Sequence, residues 1–248
     1  MPELQLDGEL MPLPTYDVQP AGHVAHYPLA SALTSDDKAV SHLRSSFLST
    51  DDDISFLSKE LLSEVLSRKL IARELERYES ASQLTRAITV DDISPPIGQD
   101  KPGYLTIFAL LLLVERGHEI TMFVDHQLSD KELPLVLSSD KGCYNLCRAK
   151  LPTTPLQCFK DWKDHDKDYF HRFQYQLSVP VLTLDADKAR HYKFDRRTIL
   201  PWCKRDASSS DLRAPGGGSG GYGAVTRVVI NKRCHGFRDI LQKASGRP

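Results

Sequence analysis

Apolar residues recur at helical spacing over residues 54–79, and this stretch has the clearest pattern in the chain. Its apolar positions fall on one broad face: Leu57, Leu61, Leu62, Val65, Leu66, Ile71 and Leu75. Such a stripe, with spacings of three and four residues, indicates an amphipathic helix that packs against a core. The acidic run at 51–53 suits the positive N-terminal end of a helix, and neither Pro nor Gly interrupts the stretch. We therefore predict one helix over 54–79.

The stretch from Tyr104 to Glu115 is apolar nearly all round, which predicts a helix that is buried on every side. Gly117 follows it, and a glycine at this distance is expected to end the helix. A short helix is expected near 119–127, and an acidic turn is expected at 129–132.

Residues 138–156 contain Pro152 and Pro155 and are expected to form a loop. The next stretch, 158–175, predicts an amphipathic helix because aromatic residues recur in it at near-helical spacing: Phe159, Trp162, Phe170 and Phe173. No carboxylate or cysteine pattern closes a metal site around its histidines, so both are expected at the surface: His165 and His171.

The composition limits the classes of protein to which the chain can belong. It has 248 residues, 40% apolar and 26% charged, enough for a buried core, and a net charge of −1 that argues against a nucleic-acid partner. The longest apolar run, 104–114, has about half of the roughly 20 residues that span a bilayer, so no membrane partner is expected. No secretory signal is recognisable. We therefore expect an intracellular protein with reduced thiols and no metal site: Cys143, Cys147, Cys158, Cys203 and Cys234.

Changes in composition divide the chain into three parts. Residues 1–35 are rich in Pro and predict an irregular tail, whereas residues 36–178 hold the predicted helices. In residues 179–248 a Ser- and Gly-rich stretch precedes the β-branched run 224–230, which predicts a strand. The predicted fold class is therefore mainly α, an α+β chain in which a helical region is followed by strands.

Glycines in the last part have the spacing of a phosphate-binding loop. Gly218, Gly220 and Gly223 form the pattern G-x-G-x-x-G, with Tyr222 before the last glycine and Val225 in the following strand. Such glycines let backbone N–H groups approach phosphate oxygens. A dinucleotide-binding loop leads from a strand into a helix. Here the loop leads into a strand, which favours the hairpin that covers the ATP phosphates in protein kinases.

Two other interpretations of the glycines stay open. A second register, with Gly216, Gly218 and Gly221, fits the spacing as well, and only Tyr222 and Val225 favour the first register. The second interpretation is that the glycines form a flexible Gly/Ser linker that binds no ligand.

Four segments around the loop add to this pattern: His191–Phe194, Thr198–Trp202, Val225–Asn231 and Cys234–Phe237. Together with the loop they resemble a family of fungal serine/threonine protein kinase-like proteins. The similarity runs from about residue 55 to the C-terminus and is sharpest over 191–237. It implies the first β-hairpin of a kinase small lobe, incomplete here, with 197–204 paired to 224–231.

The resemblance also implies a ligand and an activity. ATP is the implied cofactor, and six residues would contact it: Gly218, Gly220, Gly221, Tyr222, Gly223 and Val225. Mg²⁺ is implied only in a complete parent protein, whose activity would be the ATP-dependent phosphorylation of Ser or Thr hydroxyls.

The chain lacks the other elements that phosphoryl transfer needs. It contains neither H-R-D nor D-F-G. Apart from Lys232, which adjoins the second predicted strand, the one lysine after this strand is Lys243, and it lies in a stretch that resembles a polar helix. We therefore expect the N-terminal part of a kinase-like protein, truncated before the catalytic elements and inactive alone.

The competing hypothesis is a non-enzymatic helical module with a basic, Gly/Ser-rich tail. Such a module would bind a protein partner through the apolar faces of 54–79 and 104–115. The alternative is that these two faces pack on each other. A titration with Mg·ATP distinguishes the kinase-like hypothesis from the module, because only the first predicts nucleotide binding.

Overall fold

The computed structural model describes residues 39–50, 53–138, 144–183, 192–203, 219–220, 223–224 and 229–237. Among these residues the α-helices are α1 (Ala39–Ser45), α2 (Lys59–Val65), α3 (Arg68–Ser80), α4 (Val90–Ile93), α5 (Leu105–Leu113), α6 (Ile120–Asp125) and α7 (Asp164–Leu177). The strands are β1 (Leu48–Ser49), β2 (Ser55–Phe56), β3 (Val136–Leu137), β4 (Leu146–Arg148), β5 (Leu151–Pro155), β6 (Trp202–Cys203), β7 (Ser219–Gly220), β8 (Gly223–Ala224) and β9 (Val229–Ile230). This mixture of helices and small sheets confirms the α+β class. The predicted tail, 1–35, lies outside the described residues, and the predicted boundary after residue 178 stays a prediction.

The prediction of a single helix over 54–79 is wrong, because the structure divides this stretch into β2, α2 and α3. Ser58 and Ser67 each begin a helix: the Oγ of each accepts a hydrogen bond from the backbone N–H three residues further on, at 3.2 and 3.4 Å. Leu66, between the two helices, has a non-helical backbone. The chain therefore turns there, while the apolar stripe continues across the turn into one core.

Helix α5 lies in the core, as its apolar sequence predicts. Every residue from Thr106 to Leu113 is buried, and the helix packs against α1 and α7. The carboxylate of Asp130 covers its N-terminus, because it accepts the N–H groups of Thr106 and Ile107 at 3.0 and 2.9 Å. A helix leaves these first donors without an internal partner. No helix in the described part of the chain is long and apolar enough to cross a membrane.

The prediction that Gly117 ends this helix is wrong. The residue with a left-handed backbone is Glu115, whose φ is +61°. The N–H of Arg116 donates to the carbonyl of Leu111 at 2.8 Å, which is the hydrogen bond of a Schellman end. Gly117 instead begins a 3₁₀ turn, where its missing side chain leaves room for the ring of Tyr78.

The helices that follow α5 agree more closely with the predictions. The short helix near 119–127 is confirmed as α6, and the turn at 129–132 contains a 3₁₀ turn. The helix predicted over 158–175 is confirmed as α7, although it begins at Asp164. Four aromatic rings from α6, α7 and the turn before α7 contact one another, with centroids 4.9 to 6.3 Å apart: Phe123, Phe159, Trp162 and Phe170. Such ring contacts stabilise a core beyond the area that they bury.

The two histidines of α7 differ in their surroundings. His165 is exposed, as predicted. The surface position predicted for His171 is wrong, because only 6% of this residue is exposed. Its Nε2 lies 3.3 Å from the Arg197 guanidinium, so a segment distant in sequence covers the ring.

The prediction of a loop over 138–156 is wrong, because β4 and β5 lie in this stretch. They form an antiparallel sheet in the order β3-β4-β5. Pro152 and Pro155 lie in β5, an edge strand whose five residues are all exposed. An edge strand tolerates proline because the N–H groups on its outer side pair with no other strand. The prolines therefore mark the edge of a sheet.

Candidate functional site

The base of the candidate site is the antiparallel pair of β6 and β9. Trp202 lies opposite Ile230, and the next pair is Cys203 and Val229. β-Branched and aromatic residues of this kind are common in strands. The register confirms the antiparallel pairing that we expected between the segments before and after the glycine loop.

A second antiparallel pair, β7 and β8, lies within the glycine loop. Ser219 lies opposite Ala224, and Gly220 lies opposite Gly223. Two residues connect the last pair, which is the length of the commonest hairpin turns, and such turns favour glycine because they need positive φ. The described residues of the loop therefore belong to a hairpin.

The structure describes the backbone of two of the six predicted ATP contacts, Gly220 and Gly223. Because they pair with each other, the register that starts at Gly218 places its last two glycines at the two ends of the turn. The other four predicted contacts lie outside the described residues: Gly218, Gly221, Tyr222 and Val225.

The two strand pairs are not in one continuous register. Fifteen residues, 204–218, separate β6 from β7, whereas four residues, 225–228, separate β8 from β9. Two strands of a regular antiparallel hairpin have equal numbers of residues between paired positions. The chain between the two pairs is therefore eleven residues longer before the glycine turn than after it, and β6–β9 and β7–β8 are two separate sheets.

An ion pair and an apolar cluster attach the base of the hairpin to the helical region, and a hydrogen bond attaches it to the segment after α7. The N–H of Leu182 donates to the carbonyl of Cys234 at 2.8 Å. The side chain of Cys234 is fully buried in a small apolar cluster with Phe56 and Val179. The Arg233 guanidinium lies 2.6 Å from the carboxylate of Glu64 on α2. The base is therefore held against β2 and α2.

Gly220 and Gly223 carry no side chains, and a glycine-rich turn is the kind of backbone that approaches phosphate oxygens in other proteins. In the part of the chain that the structure describes, no group of three or more His, Cys, Asp or Glu side chains could hold a metal ion.

A polar groove that no sequence pattern predicted lies between α7 and the segment 197–199. The groove has a volume of about 360 Å³. Besides the amide of Gln176, its polar lining comes from three segments: Tyr144, Asp168, His171, Arg172, Tyr175 and Arg197. One signal in the sequence could have indicated part of it, because residues 168, 172 and 175 lie on one face of a helix. Nothing in the sequence pattern indicates that Arg197 meets this face.

Comparison with known proteins adds no relative of known function. No protein-family model matches the chain, and no curated protein or solved structure matches it. The function is therefore inferred from the chain's own residues.

Proposed function

We propose that this chain carries the ATP-phosphate hairpin of a protein kinase-like protein. The backbone N–H groups of residues 218–223 would contact the phosphate oxygens, with Tyr222 over them and Val225 against the adenine. A complete parent protein would transfer a phosphoryl group from ATP to Ser or Thr hydroxyls with the help of Mg²⁺. This chain has no H-R-D or D-F-G segment to position the metal and accept the proton, so it would bind nucleotide without catalysis.

The pairing of Gly220 with Gly223 in an antiparallel hairpin is the observation that supports this proposal. A dinucleotide-binding loop would lead into a helix, whereas β8 and β9 follow this loop. A flexible linker would not hold two of its glycines opposite each other in register. Of these phosphate-binding loops, the kinase type is the one that covers the phosphates from a hairpin.

The competing hypothesis, a helical module that docks a protein partner, needs an apolar helix face that the chain leaves uncovered. The structure buries both faces that motivated it. Residues 107–113 of α5 are in the same core as the stripe from α2 and α3, which includes Leu62, Ile71 and Leu75. The hairpin is therefore the better supported proposal, since the chain itself covers these faces.

Thermal unfolding of the whole chain with increasing Mg·ATP tests the hairpin proposal. A ligand at 100 times its dissociation constant stabilises the folded state by about 2.7 kcal/mol. We expect Mg·ATP to raise the midpoint of unfolding and adenosine, which has no phosphates, to leave it unchanged. A phosphotransfer assay on the same sample is expected to show no turnover.

A pair of variants tests whether the ligand is bound at the hairpin. Gly220→Val places a branched side chain where the backbone would approach a phosphate, so this variant should lose the shift. Gly236→Ala is the matched control outside the loop, because its added Cβ would come no closer than 3.7 Å to Thr183, and it should keep the shift. No shift in the natural chain would favour the helical module, and a shift that Gly220→Val retains would place the nucleotide elsewhere.

A further inference from the structure

The polar groove on α7 collects charged and hydroxyl groups from three distant parts of the chain. Asp168, His171, Arg172 and Tyr175 come from adjacent turns of the helix, whereas Tyr144 precedes β4. Leu137 and Ile199 add two apolar walls. At about 360 Å³ the groove lies within the range of small-molecule sites, about 300–1,000 Å³.

Asp168 is the one carboxylate among the described residues that line the groove, and it is already paired. Asp168 accepts the hydroxyl of Tyr144 at 2.6 Å, and its other oxygen lies 2.8 Å from the Nε of Arg172. Burial, the largest cause, and this contact with Asp168 raise the pKa of Tyr144 to about 12. Its hydroxyl therefore stays protonated and remains bound to the carboxylate.

The guanidinium of Arg197 has no carboxylate partner among the described residues. Its contacts in the groove are neutral groups, the Nε2 of His171 at 3.3 Å and the side chain of Tyr175. Burial, and then the nearby Arg197 charge, hold the pKa of His171 below its ordinary value of 6.5, so the ring is neutral near pH 7. The Asp195 carboxylate accepts the backbone N–H of Arg197, and its charge also acts on the guanidinium, although Asp195 does not line the groove. Among the described residues that line the groove, no carboxylate forms an ion pair with Arg197.

We propose that this groove binds a small organic oxyanion, a carboxylate or a phosphate monoester with an apolar body, whose charged end pairs with Arg197. Guanidinium groups bind both kinds of oxyanion through two parallel hydrogen bonds. Leu137, Ile199 and the ring of Tyr175 would contact the apolar body. The volume exceeds the need of a bare inorganic ion, which is why the ligand class includes an organic group. This site does not depend on the hairpin.

Isothermal titration calorimetry on the whole chain with four probes tests the ligand class. The probes are benzoate, phenyl phosphate, inorganic phosphate and benzyl alcohol. We expect benzoate or phenyl phosphate to bind at least tenfold more tightly than the other two, and the tighter of them identifies the oxyanion. Equal binding of benzyl alcohol would contradict the role of charge, equal binding of inorganic phosphate would contradict the role of the apolar walls, and absence of binding by all four would overturn the proposal.

Two neighbouring arginine variants place the ligand in the groove. Arg197→Gln removes the charge without removing a core residue, because Arg197 is exposed, and should weaken binding of the best probe at least tenfold. Arg196→Gln is the matched control, since Arg196 is exposed and does not line the groove. Equal affinities of the two variants would overturn the assignment. Arg197→Gln should leave the Mg·ATP shift unchanged, which separates this site from the hairpin.

Discussion

At the scale of single residues, Gly117 occupies a position where a larger residue would displace its neighbours. A Cβ atom there would lie 2.9 Å from both the Cζ of Tyr78 and the Cδ2 of Leu112. Real Cβ atoms essentially never come within 3.0 Å of such atoms. Both neighbours are buried, so neither can turn into solvent. The glycine therefore allows the close approach of α3 to the turn after α5.

Replacing this glycine should have a measurable cost in stability. We expect Gly117→Ala to lower the free energy of unfolding by about 1–3 kcal/mol, the usual cost of overpacking a core, as measured by urea denaturation. Gly103→Ala is the matched control, because its Cβ would meet no atom closer than 3.7 Å, and it should change the stability by less than about 0.5 kcal/mol. Equal effects of the two variants would contradict the close packing at Gly117.

His171 should make the stability of the folded chain depend on pH. Burial and the positive charge of Arg197 lower its pKa, Arg172 lowers it further, and Asp168 opposes them. The unfolded chain therefore binds more protons than the folded chain between the lowered pKa and the ordinary value of 6.5. The free energy of unfolding should rise with pH in this window. The stability that His171 contributes is fully present above pH 6.5, and it is lost as the pH falls through the pKa of His171 in the folded chain.

Urea denaturation of the natural chain and of His171→Gln between about pH 5 and about pH 7 isolates this contribution. The difference in unfolding free energy between the two should grow with pH and level off above the ordinary pKa. Arg197→Gln should weaken the dependence without removing it, because burial is the larger cause of the shift. If the difference in unfolding free energy stayed constant over this pH range, it would contradict the assignment of the pH dependence to His171.

At the scale of elements, three helices end at left-handed residues that are not glycine. These are Ser82 after α3, Glu115 after α5 and Gln127 after α6, with φ of +53°, +61° and +52°. A Schellman hydrogen bond follows each: Gln83 to Tyr78, Arg116 to Leu111 and Leu128 to Phe123. These bonds satisfy helix carbonyl groups and offset a backbone cost of roughly 1–2 kcal/mol for an L-residue.

Glycine at such a position should stabilise the chain. We expect Ser82→Gly to raise the free energy of unfolding by about 0.5–1 kcal/mol, because relief of the left-handed backbone exceeds the entropy that glycine loses on folding. Ser80→Gly makes the same change two residues earlier, inside α3, and should instead lower stability. Thermal unfolding of the two variants measures the contrast, and a change of the same sign in both would show that the backbone conformation at Ser82 is not the cause.

The predictions for elements succeeded where one long apolar pattern determines the structure. Helix α5 is nearly uniform in hydrophobicity, so its burial follows directly from the sequence. The division of 54–79 was missed because the apolar stripe continues through the turn, whereas the signals at Ser58 and Ser67 are single hydroxyl groups. The end of α5 was assigned wrongly to Gly117 because the left-handed residue that follows this helix is Glu115, and not the expected glycine.

At the scale of the whole molecule, the sequence predicted the core and the pairing of the hairpin better than the groove. Core burial follows from local patterns, and the strands β6 and β9 are indicated by the β-branched and aromatic residues on either side of the glycines. The groove brings Tyr144 and Arg197 to the same face of α7 from opposite directions along the chain. This proximity of distant residues depends on the tertiary fold, and no local sequence pattern predicts it.

The exposed edge at β5 affects how copies of this chain behave together. A strand that is open on one side is a template to which another chain can add. The N–H of Leu156 donates inward to Leu146, so the neighbouring nitrogen, that of Pro155, faces the open side of β5. Because proline has no N–H to donate, a second copy aligned along β5 would meet a gap in its hydrogen-bond ladder at Pro155. We therefore expect Pro155 to disfavour fibril-like association when the protein is concentrated.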